Sequence, residues 1–414
     1  MNLKVLQLNH SDINGGAARA AYRIHHCLHD AGIDSRMWVN QAKSDDWTVQ
    51  GPSNKWEKLM ALLRSDAGGQ LNCLLKTGNP IIHSPSVVPS RWVKRINQSD
   101  ADIVHLHWIA GEMLSIADIG RIQKPIVWTL HDMWAFCGAE HYTDDHRWRD
   151  GYRNDNRPQH ESGFDLNRWT WQRKLKRWQR TMHIVTPSRW LRDCVRESVL
   201  MRNWPVTVVA NPIDTEFWKP LEQRIARDLL GLPEDAPLLL FGAIGVGHDS
   251  RKGFDLLMRA LKHLRDEPRA KSLELVIFGQ RAPQSPQRLG FPIHYTGHLH
   301  DDLSLRALYS AVDAIVIPSK QDNLPNTGVE AHACATPVIA FETGGMPDIV
   351  VHQHTGYLAS AFDTQDLAIG IVWVLGQRET RRLGEQARER AVAQFRYPAV
   401  AEKYRQIYKL NEGV

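Results

Sequence analysis

No apolar run in this chain approaches the ~20 residues needed to cross a bilayer, and the first residues lack the basic-then-apolar pattern of a secretory signal. Cysteine is scarce and uneven. The five, Cys27, Cys73, Cys137, Cys194 and Cys334, are odd in number and scattered, which excludes a disulfide framework and fits a reducing compartment. Cys137, His141 and His146 match no zinc spacing, and no Asp-x-Asp metal triplet stands beside a site motif. Internal repeats are absent too. These absences lead to the expectation of a cytoplasmic protein.

What is present is enough for two domains with full cores, since the chain has 414 residues, 43% hydrophobic and 23% charged. A net charge of +5 is mild overall but unevenly placed. Arg168-Trp-Thr-Trp-Gln-Arg-Lys-Leu-Lys-Arg-Trp-Gln-Arg180 packs cations and tryptophans into one predicted helix. It suits an anionic membrane surface, or a solvated face whose tryptophans turn inward. No recognition motif accompanies a nucleic-acid reading.

Strand-then-helix grammar runs through both halves. Lys4-Val-Leu-Gln-Leu8 reads as a strand, Gly15-Gly16 as a turn, and 17–31 as a helix stopped by Gly32. Paired glycines let a ligand approach the backbone, although helix-entry glycines are common. The span 42–99 reads as short helices and loops on the acceptor side, and the aliphatic-poor span 144–161 as a mobile loop. Further strands are predicted at 103–108, 126–130, 183–186 and 206–209. His105 and His107 share one strand face, His105 as a core residue. His131-Asp132 follows a strand directly and opens from its C-terminal end, either as a ligand contact or as a polar loop start.

The second half starts afresh at Leu238-Leu-Leu-Phe-Gly242, before a glycine-rich loop carrying Arg251-Lys252-Gly253. Such a triplet is commonly surface decoration, but cations beside a helix start also compensate phosphate charge. Further on, Ala314-Ile-Val-Ile317 leads into Pro318-Ser-Lys-Gln-Asp322-Asn-Leu-Pro325-Asn-Thr-Gly-Val-Glu330. Pro325 suits the first turn of a helix. Asp322 and Glu330 then bracket backbone N–H groups suited to an anion. A nucleotide sugar, with phosphates at its centre and hydroxyls at its ends, fits two such carboxylates. The alternative is a junction whose acids merely favour the helix start.

The segment from Tyr309 to Asp348, with the Asp322-x7-Glu330 pair, Ala331-x-Ala-Cys-Ala-Thr-Pro-Val-Ile and Gly344-Gly345, resembles the signature of family 4 retaining glycosyltransferases. It is most similar to the bacterial exopolysaccharide and O-antigen type, including colanic-acid transferases. The usual motif is Glu-x7-Glu, so Asp322 departs by one methylene. Ala243 stands where many members have Arg, and Asn211-Pro-Ile-Asp-Thr-Glu-Phe-Trp218 resembles the family's interdomain connector.

The resemblance implies α/β GT-B architecture, two facing doubly wound Rossmann-like domains with a cleft between them. The expected segments are 1–209 on the acceptor side, 210–395 for the nucleotide sugar, and a C-terminal helix, 396–414, returning to the first domain. The implied reaction is metal-independent transfer with retention, from a UDP- or GDP-linked donor to a glycan or lipid-linked oligosaccharide in surface polysaccharide synthesis. No cofactor or nucleic acid is implied, and membrane association would be peripheral. His131, near the sugar, and Asp322, on its hydroxyls, are the implied catalytic residues. Gly15, Gly16, Arg251, Lys252, Asn323, Leu324, Asn326 and Glu330 are the implied donor-binding residues, with Lys252 on the diphosphate and Glu330 on the ribose. A non-catalytic sugar-nucleotide-binding partner and a nucleotide-sugar epimerase are the alternatives, the latter without a matched acid–base pair in the sequence.

Overall fold

The computed structural model describes residues 3–242, 249–283, 289–299 and 301–411. The chain divides into two compact units, the first running to Pro212 and taking in the chain again from Val400, the second being Ile213–Ala399.

In the first unit the strands are β1 (Lys4–Ser11), β2 (Asp34–Gln41), β3 (Val49–Gln50), β4 (Leu75–Lys76), β5 (Ile103–Leu106), β6 (Ile126–Thr129), β7 (Ser162–Gly163), β8 (His183–Thr186) and β9 (Val206–Val208). Seven form one sheet in the order β3-β2-β1-β5-β6-β8-β9, while β4 and β7 pair separately. Every described pairing in the large sheet is parallel. All residues of β5, β6 and β8 are buried, as expected where both sheet faces are covered. β2 was not expected. Its sequence DSRMWVNQ is largely polar, and only burial of Met37 and Val39 reveals the strand. The helix Tyr397–Asn411 places Tyr404 and Tyr408 in this unit's interior. Their hydroxyls meet Thr129 Oγ1 at 2.9 Å and His105 Nδ1 at 2.7 Å.

The second unit holds β10 (Leu238–Gly242), β11 (Glu274–Phe278), β12 (Ile293–Gly297), β13 (Ala314–Ile317), β14 (Val338–Phe341) and β15 (Gly356–Ala359). They form one parallel sheet in the order β12-β11-β10-β13-β14-β15. Strand order reverses between β1 and β5 in the first unit, and between β10 and β13 in the second. In such sheets, ligands bind beyond the strand C-termini at these reversals.

In the first unit one expectation fails, and of the two readings offered for the basic tryptophan helix the inward-turned tryptophans are the one observed. The span 144–161 is packed instead of loose. Arg147 is buried, pairs with Asp165 at 2.6 Å and Glu161 at 3.4 Å, and covers the Tyr152 ring at 4.6 Å. A paired arginine and aromatic rings supply the contacts that the missing aliphatics do not.

The helix Leu166–Arg177 does not present the basic, tryptophan-bearing face expected of a membrane helix. Lys174 is buried, and its ammonium donates to the carbonyls of Trp134, Cys137 and Gly138 while lying 4.0 Å from the Trp134 ring centre. Arg173 donates to the Pro85 and Ser86 carbonyls at 2.7 and 2.9 Å. Trp171 and Trp178 are buried, Trp178 donating to the Ile116 carbonyl at 2.9 Å. Of the four cations in 173–177, only Lys176 and Arg177 face solvent.

Candidate active site

Three loops converge at the C-terminal ends of β10, β13 and β14. After β10, the short turn Ser250–Lys252 ends at Gly253, whose φ is +65°. A Cβ on Gly253 would stand 1.8 Å from the Pro318 carbonyl oxygen. Only glycine lets the Arg251-Lys252 turn lie this close to the loop after β13. The Lys320 N–H donates to the Arg251 carbonyl at 2.6 Å, completing the join. On the far side, a Cβ on Gly344 (φ +55°) would stand 2.3 Å from the Asp322 carbonyl oxygen. That oxygen accepts instead from the Gly345 N–H at 2.9 Å.

Within this frame Lys252 Nζ lies 2.6 Å from Asp322 Oδ2. Asp322 also accepts from Ser319 Oγ at 3.3 Å and from the Asn323 N–H at 3.1 Å. The structure thus joins the residue expected on the diphosphate to the residue expected on the sugar. Arg251 is held differently, by Asp249 at 2.7 Å. Ala243, where many relatives carry Arg, lies outside the described residues.

The helix Asn326–Ala333 starts just beyond, with Pro325 as its cap residue instead of its first helical residue. Asn323 and Leu324 are buried at its entry and Asn326 is half-buried. Glu330 is buried in the second turn, where one carboxylate oxygen accepts from the Tyr309 hydroxyl at 3.0 Å. In the sequence Tyr309 only opens the motif. Its aromatic ring gave no sign of this role in the sequence.

In the first unit, Gly15 (φ +95°) caps the helix Gly16–Asp30, and a Cβ on Gly15 or Gly16 would meet nothing within 4 Å. Asp12, missed by the sequence reading, pins this loop. Its carboxylate accepts from the Lys43 N–H at 2.8 Å, the Ser44 N–H at 2.7 Å and the Ser44 hydroxyl at 2.7 Å. Burial works against its charge, but these bonds hold the carboxyl below its ordinary range.

His131 sits at the end of a histidine ladder. His107 Nε2 lies 2.6 Å from Gln7 Oε1, and His107 Nδ1 lies 3.2 Å from His131 Nε2. An amide oxygen only accepts, so His107 carries its proton on Nε2 and offers Nδ1 as an acceptor. His131 therefore donates from Nε2 and keeps its lone pair on Nδ1. Burial lowers His131 to about 4, against a small opposing pull from Asp132, so the ring is neutral at physiological pH. Asp132 faces away from this task. It holds His141 Nδ1 at 2.6 Å and accepts from the Trp108 and Trp134 N–H groups at 2.9 Å each. His107, left outside the catalytic set in the sequence reading, orients the histidine that was in it.

Residues 14–217 match the family described as Glycosyltransferase Family 4, and residues 238–377 match Glycosyl transferases group 1. The chain belongs to the family 4 glycosyltransferases. It is 29% identical over 225 residues to D-inositol 3-phosphate glycosyltransferase 2 of Catenulispora acidiphila, spanning 49% of this chain and 50% of that protein. The match is thus to about half of that relative's length. A D-inositol 3-phosphate glycosyltransferase of Corynebacterium aurimucosum is 26% identical over 76% of this chain and 73% of its own. Among solved structures, sucrose-phosphate synthase of Thermosynechococcus elongatus superposes with a TM-score of 0.63 at 18% identity, covering 99% of both chains. The HepE protein of Anabaena, in complex with UDP-glucose, superposes with a TM-score of 0.63 at 15% identity, covering 99% of this chain and 100% of its own. These likenesses establish the GT-B fold class.

Proposed function

We propose that the protein is a retaining glycosyltransferase that moves a sugar from a UDP- or GDP-linked donor to a hydroxyl of a glycan or lipid-linked oligosaccharide. The observation that carries this reading is the Lys252–Asp322 contact of 2.6 Å, set beside a helix start at a strand-order reversal. An ammonium and a carboxylate at one point match the two unlike parts of a nucleotide sugar. The anionic diphosphate takes the lysine, and the sugar hydroxyls take the aspartate. The likeness to HepE, whose structure is a complex with UDP-glucose, supports a nucleotide-sugar donor.

In this account Arg251 and Lys252 stabilise the departing nucleoside diphosphate without a metal ion. Glu330 accepts from ribose hydroxyls, and Gly15 and Gly16 leave room for the donor. Asn326 and its neighbours offer backbone N–H groups to oxygens of the donor. His131 meets a sugar hydroxyl through Nδ1. The bond between the anomeric carbon and the phosphate oxygen breaks as the acceptor oxygen bonds on the same face. The acceptor's proton passes to the leaving phosphate, so no enzymatic nucleophile is required.

The surface-polysaccharide acceptor rests on the motif resemblance alone, and the named inositol phosphate glycosyltransferases make inositol phosphate the necessary comparison acceptor. Mass spectrometry of products from labelled UDP- and GDP-sugars, offered with lipid-linked oligosaccharides or inositol phosphate, tests the reading. An α-configured glycoside from an α-linked donor is expected. An epimerised donor, or donor binding without any product, would overturn it.

A further inference from the structure

The helix Lys55–Gln70 has its polar side turned inward. Gly68 is its only buried residue, lying beneath Glu112, where a Cβ would meet that side chain at 2.3 Å. Arg64, near the same face, donates to the Val88 and Met113 carbonyls at 2.9 and 3.2 Å. At 100° per residue, Trp56, Leu59, Met60 and Leu63 fall on one stripe spanning about 100° of the helix, bordered by Arg64 and centred about 130° from Gly68. All four are exposed, Trp56 by 73% and Leu63 by 52%. The apolar surface continues past the helix end. Leu74 is exposed, and its carbonyl accepts from the Phe164 N–H at 2.9 Å, which sets half-exposed Phe164 beside it. An apolar stripe on the outside of a helix whose inner side is polar needs an occupant.

Charge identifies that occupant. Residues 53–98 contain seven lysines and arginines against two acids, Glu57 and Asp66, a balance of +5 that equals the net charge of the whole chain. Both acids are already engaged. Glu57 accepts from the Ser53 N–H and hydroxyl at 2.8 and 3.0 Å, and Asp66 from Gln70 at 3.2 Å. Glu57 is held below its ordinary range by the Ser53 N–H first, and the Arg95 and Arg91 cations act in the same direction. Lys55 and Lys58 on the helix, and Arg91 and Lys94 further along the same basic span, are exposed.

We propose that this face docks the protein on an anionic membrane surface, with the apolar stripe entering the headgroup boundary and the basic rim pairing with acidic lipids. The inference does not rest on the proposed reaction. The surface lies on the helix Lys55–Gln70, whose composition is ordinary, and not on the basic tryptophan helix.

Flotation of the full chain with phosphatidylcholine vesicles containing 30% phosphatidylglycerol (roughly one lipid in three, enough to set up a surface potential) tests it. Binding to these vesicles is expected, with about tenfold loss in pure phosphatidylcholine and in high salt. The double substitution Leu59→Ser with Leu63→Ser is expected to reduce vesicle binding about tenfold with an unchanged melting temperature. Lys58→Gln with Lys94→Gln is expected to weaken binding severalfold and to flatten its salt dependence. Vesicle binding unaltered in both variants would overturn the proposal. So would a concentration-dependent dimer that Leu59→Ser with Leu63→Ser dissolves, since a second copy would then be what covers the stripe.

Discussion

Two helices of the first unit exchange the roles that their sequences suggest. Leu166–Arg177 is dense in tryptophan and cations, the composition of an interfacial helix, yet its central lysine is buried under three carbonyls. Lys55–Gln70 has an ordinary composition with two glycines at its end, yet it leaves tryptophan, methionine and leucine in solvent. Composition counts what a helix carries, whereas the partner waiting for each residue decides which way it faces. Lys174 turns inward because the chain at 134–138 presents carbonyls without enough N–H partners. The stripe of Lys55–Gln70 turns outward because its inner neighbours are Glu112 and polar backbone.

This contrast can be broken by measurement. Lys174→Met is the largest expected effect. It leaves three buried carbonyls without their donor and should cost about 3 kcal/mol or more, read from denaturant unfolding. Stability like the parent's would mean that the lysine is not inside. Arg173→Gln should cost less, about 1–2 kcal/mol, because two carbonyls lose a charge-assisted partner at a half-buried site. Lys176→Met, two residues further along the same helix and exposed, should change stability by no more than about 0.5 kcal/mol. A cost at Lys176 equal to that at Lys174 would erase the distinction between the two faces.

The histidine ladder gives a smaller, kinetic test of the same principle. Gln7→Leu removes the acceptor that fixes the His107 proton on Nε2, so His131 loses its defined tautomer. Turnover should fall about tenfold, with little change in donor affinity. A matching loss in donor affinity would assign Gln7 a structural role only.

The strands were legible because buried parallel strands are unbroken apolar runs, as in Leu238–Gly242 and Ala314–Ile317. β2 was not, since its polar residues alternate with only a few buried ones. The carboxylates and cations of the site stood out through their spacing from strand ends and helix starts. The supports did not. Asp12, Gln7, His107 and Tyr309 act across gaps of 21 to 100 residues in sequence, through hydrogen bonds that no local pattern announces. The glycines at 253 and 344 were visible as letters. Their reason, close approach to the Pro318 and Asp322 carbonyls, exists only once the loops have met.

Asp322 departs from the family's usual Glu and makes a 2.6 Å contact with Lys252. Asp322→Asn should therefore lower turnover by a factor corresponding to about 1–3 kcal/mol, while leaving diphosphate affinity equal or tighter, because the lysine loses its resident counter-ion. Asp322→Glu should also reduce turnover, by overfilling a site fitted to the shorter side chain. Parental turnover in both variants would remove Asp322 from the site.

The claim on which the account most depends is that Lys252 receives the donor's diphosphate. Calorimetric titration of UDP and GDP, each beside its nucleoside, into the parent and Lys252→Ala measures this directly. The preferred diphosphate is expected to bind more weakly by about 1.5–3 kcal/mol, roughly tenfold to a hundredfold, while the nucleoside changes little. Equal weakening of nucleoside and diphosphate, or no weakening of either, would contradict it.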